Sequence, residues 1–449
     1  MLLNPSLVAA WDWRAALLHN PARPVVNLSF AFDRAISGFS SFGFHVTNVV
    51  LHIAVVGLFF GWCTRALTDA GSGERSDGEP SVTPAWGAFF AAAALALHPA
   101  MSQAVDYVSA RSELLAAIGT LAALTYARRA IVTGSKTAGW LAVLFGAVAI
   151  GSSSSAAALP LLVLAYDAWV LRDPGWGLRA ARVYAPAMLG VGIAAAWYLT
   201  GIDARVVPPR GPIENLLTEA VVAWRYVALL VAPTGQSVVH QVRWIAGPFD
   251  PIGLAALLAL AAAVTFAVMT RRRRPLLAFG VVCFAGVLAP TTSFIPVRDA
   301  MAEHRLYLAS TGLLLAAVSL VPQTIAGSRV VRAALAGVLA VLALTTYRRN
   351  EIWSEPVTLW EEAVRRSPEA WQAHWGYGEL LRETGRCDRA LPEYEAVLRL
   401  YPGHGGALDR LSMCRGRVGA TAATGRPNNN YVIAATELTP PAGRSKRFP

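Results

Sequence analysis

Between residues 42 and 347 the chain is a run of apolar blocks separated by short polar breaks. In lipid, a backbone must satisfy its own hydrogen bonds, and this confines such a chain to helices or a closed barrel. One crossing takes about 20 mostly apolar residues. The segments 42–62, 85–99, 108–127, 138–151, 156–171, 183–200, 252–270, 275–291, 306–322 and 331–347 are of that kind, so the sequence predicts about ten helices. The expected fold class is all-α: a polytopic transmembrane helical bundle with a short helical region after it. Segment 216–232, "LLTEAVVAWRYVALLVA", carries Glu219 and Arg225 and reads as a helix in the interface or tucked inside the bundle. Only 15% of residues are charged, against about a quarter in a soluble domain. The net charge of +11 comes largely from arginines in the breaks. There they act as topology determinants rather than as a nucleic-acid groove, so nucleic acid is not an expected partner.

Alternate breaks hold the basic residues: Arg65 and Arg75; Arg128, Arg129 and Lys136; Arg172, Arg179 and Arg182; Arg271 to Arg274; Arg329 and Arg332. The positive-inside bias places these in the cytoplasm. The breaks "HPAMSQAVDY", 201–251 and "TTSFIPVRDAMAEH" then lie outside, as does the tail from Arg348. An even number of crossings also puts residues 1–41 outside, with no apolar span before them to export them. The expectation is therefore a first helix missing ahead of Met1. The domain reading is 1–41 as an outer-face loop or amphipathic segment and 42–347 as the bundle with outer loop 201–251. Residues 348–416 read as tetratricopeptide-like helices and 417–449 as a disordered tail. Among Cys63, Cys283, Cys387 and Cys414 no metal spacing occurs, and only Cys387 and Cys414 share a soluble region. Spacing alone does not demand a bond between them.

In the tail, "WQAHWGYGELLRETGRCDRALPEYEAVLRLYP" (371–402) fits one tetratricopeptide unit. Gly378, Gly385, Ala390, Tyr394 and Pro402 stand where two antiparallel helices need small residues against aromatic ones. Trp360, Ala363 and Pro368 repeat the end of that pattern just upstream. A lone unit cannot bury both faces, so flanking helices must cap it. The region reads either as a docking surface for a protein or peptide or as a small helical cap.

Ionisable residues at membrane depth are costly and point to function. His45, Asn48 and His52 recur at three- and four-residue steps and are expected on one helix face. Arg23 and Asn27 precede them at the outer surface. His98 sits at the rim of a span that Pro99 ends, and Asp106, Arg111 and Glu113 open the next helix. Arg111 either grips a phosphate or pairs with Glu113. In "RDAMAEHRLYLAS" (298–310), Asp299, Glu303 and Tyr307 are four apart and are expected on one face, with Arg298 and Arg305 beside it and His304 next to them. Guanidiniums around a carboxylate at the membrane boundary suit a phosphate-bearing lipid: the cations neutralise the leaving phosphate and the carboxylate accepts the acceptor's proton. Glu303 and Asp106 are the candidate bases. Arg23, Asn27, His45, His52, His98, Arg111, Glu113, Asp299, His304, Arg305 and Tyr307 are the candidate lipid-phosphate or sugar contacts. The bland reading is an interfacial salt-bridge cluster. No metal is assigned: no spacing among Asp299, Glu303 and His304 demands one, although a divalent ion stays open.

The ordered stretches "RPVVNLSFAFD", "GFHVTNVVLH", "HPAMSQAVDYVSARSELLAA", "LPLLVLAYD", "RDAMAEHRLYLAS" and "RNEIWSEPVTLWEEAVRRSP" resemble bacterial relatives of the transmembrane-and-tetratricopeptide protein O-mannosyltransferases, of the GT-C class. The resemblance runs from about Asn4 to Leu411. It implies an integral membrane glycosyltransferase that takes a sugar from a polyprenyl-phosphate donor to an exported protein or glycan, with its site on the non-cytoplasmic face. It also implies an acidic pair after a first membrane helix, which this sequence lacks. An acidic residue is implied where Gln103 stands, and Lys-Glu where Ser153 and Ser154 stand. The alternative is a weak or inactive relative acting as a scaffold that recruits envelope partners. No organic cofactor is implied. The expected partners are a polyprenyl-phosphate-linked sugar, membrane lipid and a protein or peptide at the tetratricopeptide region. The expected location is the bacterial inner membrane, with the tail outside the cytoplasm. A transporter of lipid-linked sugars would use the same charges, but no internal inverted repeat is visible.

Overall fold

We describe a computed structural model at residues 23–71, 84–190, 211–291, 299–321 and 328–424, with Arg14 and Gly192. Among these residues every regular element is helical. The chain divides into two compact units, one of residues 1–236 with 242–351 and one of 237–241 with 352–449.

The first unit begins with α1 (Pro24–Ser37), where proline fits the first turn because no N–H partner is needed there. After it come α2 (Ser41–Gly71) and α3 (Pro84–Leu97). α3 stops because Pro99 holds His98 in extended backbone, φ −80° and ψ 124°. The chain bends there by 56° into an arm that ends in α4 (Ser102–Asp106). α5 (Arg111–Thr133) and α6 (Lys136–Ile150) form a hairpin through Gly134, whose φ of +67° is the left-handed helix cap. One apolar stretch, Ser154–Leu171, contains α7 (Leu159–Ala165), and α8 (Trp176–Arg179) follows it. Then come α9 (Pro212–Val231), α10 (Pro251–Met269), α11 (Pro275–Leu288), α12 (Leu306–Ser319) and α13 (Arg329–Ser354).

Five stretches are long and apolar enough to cross a membrane: Ser41–Gly71, Val108–Thr133, Ser154–Leu171, Pro251–Met269 and Arg329–Ser354. The bent pair around Pro99 makes a sixth if it counts as one span. The chain is a multi-pass membrane protein. Among the described residues five or six stretches reach that length, against the ten segments expected. α11 and α12 have 14 residues each and α6 has 15, which is roughly 21–23 Å of helix and short of the ~30 Å hydrocarbon core. Apolarity marked these segments correctly, but where a helix ends depends on turns that apolarity does not report. The part of 183–200 beyond residue 190 lies mostly outside the described residues. α9 confirms the helix expected at 216–232.

Apolar packing holds this unit together. Trp62 of α2 lies 5.6 Å from Phe279 of α11 and 6.0 Å from Tyr166, ring centre to ring centre, and all three are buried. Tyr166 in turn donates to Asp69, which also pairs with Arg128 of α5. α11 and α12 meet backbone to backbone: a Cβ on Gly280 would collide with the Gly312 carbonyl, and one on Gly312 with the Gly280 carbonyl. Close approach through small residues is how helices associate without a hydrophobic drive between them. Outward faces stay apolar, as at Trp140 (74% exposed), and lipid supplies their missing neighbours.

The second unit contains α14 (Pro356–Arg366), α15 (Trp371–Glu383), α16 (Cys387–Leu400) and α17 (Gly405–Thr424). Gly378 packs on the buried Tyr394 so closely that a Cβ there would lie 2.9 Å from its ring. This is the small-against-aromatic contact that the repeat pattern predicts. Gly385, at φ +78°, makes the turn between α15 and α16. Cys387 and Cys414 form a disulfide that ties α16 to α17, with Cα atoms 5.1 Å apart. Residues 237–241 belong to this unit. Ser367 Oγ donates to Val239 O (2.9 Å) and accepts from the backbone N of Gln241 (2.9 Å), whose Nε2 donates to Glu369 (2.6 Å). The 201–251 loop is thus partly helix α9 and partly a strap on the repeat. Helix α17 runs to Thr424, past the expected start of disorder at 417, and residues 425–449 lie outside the described residues.

Candidate functional site

The candidate residues fall into three groups. The first group ties the bundle together. Arg111, fully buried on α5, makes an ion pair with Asp33 of α1 (2.6 Å) and donates to Asn48 Oδ1 of α2 (2.7 Å) and to Phe44 O (2.9 Å). Phe30 places its ring 4.6 Å from the guanidinium. Asp33 also accepts from Thr47 Oγ1 (2.8 Å). Arg111 therefore pairs with Asp33, where the sequence offered Glu113. His52 Nδ1 and Tyr307 OH lie 2.6 Å apart and link α2 to α12. His98 caps the turn after α3: its Nδ1 accepts from Ala100 N (3.2 Å), which leaves Nε2 to donate to Leu230 O (2.9 Å). His45, Asn48 and His52 all stand on α2, where steps of three and four residues put them on one face; His45 is exposed and Asn48 buried.

The second group is a polar cluster inside the apolar bundle. Glu113, buried at the start of α5, accepts from Ser153 Oγ (2.7 Å) and Ser155 Oγ (3.1 Å). Arg23 and Arg305 both lie close enough to act electrostatically on Glu113, and both act on His304 as well. Gln103 Oε1 accepts from His304 twice, from the backbone N (2.8 Å) and from Nδ1 (3.1 Å). Since a backbone N–H can only donate, Gln103 must present its oxygen, so Nδ1 carries the proton and Nε2 is the free acceptor. Burial, then Arg305, then Arg23 push the His304 imidazole down to about 3, and it is neutral at ordinary pH. Glu303, 1% exposed, stands next in the chain. Tyr226 of α9 fixes that segment: its OH donates to Ala302 O (2.9 Å) and accepts from Ala302 N (3.0 Å). Asn27 is buried one helical turn past Arg23.

The third group stands apart. Asp106 is half-buried, with the Asn350 amide 3.1 Å from both its Oδ2 and Ser102 Oγ, and with Arg349 acting on it. Asp299 is exposed, and Arg298 lies outside the described residues. The expected helix face of Asp299, Glu303 and Tyr307 does not form. Ala302 is extended (φ −142°, ψ 124°), a short 3-10 turn starts at Glu303, and α12 begins only at Leu306. Charges four apart share a face only once a helix exists, and here it starts too late. Among the described residues no three His, Cys, Asp or Glu side chains are placed to hold a metal ion.

The sequence reading missed Asp33, Tyr226 and Arg349. Asp33 stands in "SFAFD" and Tyr226 in "VVAWRYVALL".

A family profile described as a tetratricopeptide repeat matches residues 345–405. The protein O-mannosyl-transferase Tmtc3 of Drosophila melanogaster is 24% identical over 472 residues, which is 89% of this chain and 50% of that protein. The human protein O-mannosyl-transferase TMTC1 is 21% identical over 88% of this chain and 49% of its own length. The chain is similar to the TMTC proteins over most of its length. Mouse TMTC1 is 31% identical over a shorter stretch, 28% of this chain and 15% of the mouse protein. The chain spans about half the length of the full-span TMTC relatives, those of Drosophila and human. No solved structure matches it.

Proposed function

We propose that the chain is an integral membrane glycosyltransferase that moves a sugar from a polyprenyl-phosphate donor to an exported protein or glycan. One observation carries the reading: Arg23, exposed, and Arg305, half-buried, both act electrostatically on the buried Glu113 and on His304. The relatives, named as protein O-mannosyl-transferases, support it.

In this proposal the acceptor oxygen attacks the sugar's C1, and the bond from C1 to the phosphate oxygen breaks. Arg23 and Arg305 neutralise the phosphate that leaves, a task suited to cations in a water-poor site. Glu303 takes the acceptor's proton, with Asp106 as the second candidate. His304, neutral and held by Gln103, offers Nε2 to a sugar hydroxyl. Glu113, gripped by two serines, places a carboxyl group within electrostatic reach of both arginines. Arg111, His52, His98 and Tyr307 support the bundle, because protein groups already engage their polar atoms.

The proposed location is a bacterial inner membrane with the repeat outside the cytoplasm. A disulfide belongs to an oxidising compartment. Residues 237–241 of the outer loop and the repeat form one unit, so they share a side of the membrane. The repeat is proposed to receive a protein or peptide.

The test is transfer. Membranes bearing the chain are incubated with radiolabelled polyprenyl-phosphate mannose, mannose being the sugar in the relatives' names, and exported acceptor proteins. Labelled protein that disappears in Arg305→Ala supports the proposal, and no transfer by folded protein overturns it. The scaffold reading has its own motive: Gln103 and Ser153 are neutral where the resemblance implies charge. It requires that removal of 352–424 abolish function while Arg305→Ala preserves it.

A further inference from the structure

A cavity of about 520 Å³ lies in the first unit where the Ser154–Leu171 stretch meets the arginine turn after α10. It shares no lining residue with the Glu113 cluster. Leu161, Leu164 and Ala168 give it an apolar floor, and Trp169 and Trp176 stand at its sides. Arg172, Arg271 and Arg272 give it a cationic edge.

Among the described residues no carboxylate pairs with those three charges. Arg172 donates to two carbonyls, Trp169 O (3.2 Å) and Arg272 O (2.5 Å), and Arg271 donates to Val268 O (2.8 Å). Among the described residues none of the three forms an ion pair. The carboxylates beside Arg172 in the chain, Asp167 and Asp173, are both engaged by Arg179 at 2.6–2.7 Å. Arg172 also ends the helical stretch Tyr166–Leu171 in the left-handed region, at φ +54°.

We propose that this cavity holds one anionic membrane phospholipid, its phosphate against Arg172, Arg271 and Arg272 and an acyl chain along Leu161 and Leu164. Guanidinium forks match phosphate oxygens, tryptophans favour the level of the headgroups, and basic pockets between helices take anionic headgroups. A zwitterionic lipid would carry its own cation toward three guanidiniums. A soluble phosphate would leave the leucine floor unused.

The full chain is purified into phosphatidylcholine nanodiscs with or without phosphatidylglycerol, and retained lipid is counted by native mass spectrometry. Phosphatidylglycerol should be retained about tenfold over phosphatidylcholine and raise the melting temperature. The triple variant Arg172→Gln, Arg271→Gln, Arg272→Gln should lose both effects. Leu164→Trp, which fills the floor and keeps every charge, should lose retention too, and it decides the matter if the triple variant does not fold. The proposal is overturned if Leu164→Trp or a folded triple variant retains phosphatidylglycerol like the parent. It is overturned equally if inorganic phosphate at millimolar concentration gives the same stabilisation.

Discussion

Arg111 Nη1 lies 2.6 Å from Asp33 Oδ2 with both side chains out of solvent, so α5 is pinned to α1 by a fully buried charge pair. Removing one partner leaves the other charge uncompensated, which costs about 3–5 kcal/mol. Asp33→Ala and Arg111→Ala should each lower the melting temperature of the detergent-solubilised protein sharply. The double variant should lose less than the sum of the two, because it strands no charge.

The Gln103–His304 contact sets a pH expectation. With its folded value depressed to about 3, His304 is neutral over the working range. The transfer rate should therefore show no inflection near 6.5 attributable to it. Gln103→Glu puts a carboxylate beside the ring and favours the imidazolium. That variant's pH–rate profile should acquire a new ionisation at higher pH than the parent shows.

Arg305 is expected to matter for the transition state more than for folding. Arg305→Ala should reduce kcat/KM for the polyprenyl-phosphate sugar by about 100-fold, with a melting temperature close to that of the parent. Ser153→Ala should have a smaller effect in the same direction, since Ser155 still donates to Glu113. Steady-state kinetics and melting curves, run on the same preparations, separate the two contributions.

In the repeat, His374 Nδ1 lies 2.7 Å from Glu393 Oε2 and Nε2 lies 3.0 Å from Pro368 O. The hydrogen bond to Glu393 raises the imidazole above its usual 6.5, more than partial burial lowers it. A raised folded value means that the stabilisation is complete below the unfolded value and fades as pH climbs through the folded one. Hydrogen exchange in 371–400 of the intact protein should accelerate beyond the chemical rate as pH climbs through the raised imidazole value. Glu393→Gln should remove that pH dependence.

Much of this molecule was legible in its sequence, for definable reasons. Long apolar stretches such as 251–269 announce themselves because lipid tolerates little else. The Gly378–Tyr394 contact was readable because a repeat fixes which residues meet. The polar cluster was readable only in part. Arg23, Glu113, His304 and Arg305 stood out as charges near apolar blocks, but their grouping depends on contacts far apart in sequence. Asp33 and Tyr226 became visible only as partners, because their roles follow from which helix lies opposite. The Asp299–Glu303–Tyr307 face failed because one extended residue, Ala302, delays the helix.

The facing pair Gly280 and Gly312 constrains more than packing. Any side chain at either position pushes a carbonyl of the other helix aside, so this seam leaves mutation almost nothing to try. As related genes drift apart, the surrounding leucines and valines can trade places freely. These two positions should stay fixed together or change only in company, a signature that outlasts the erosion of the rest.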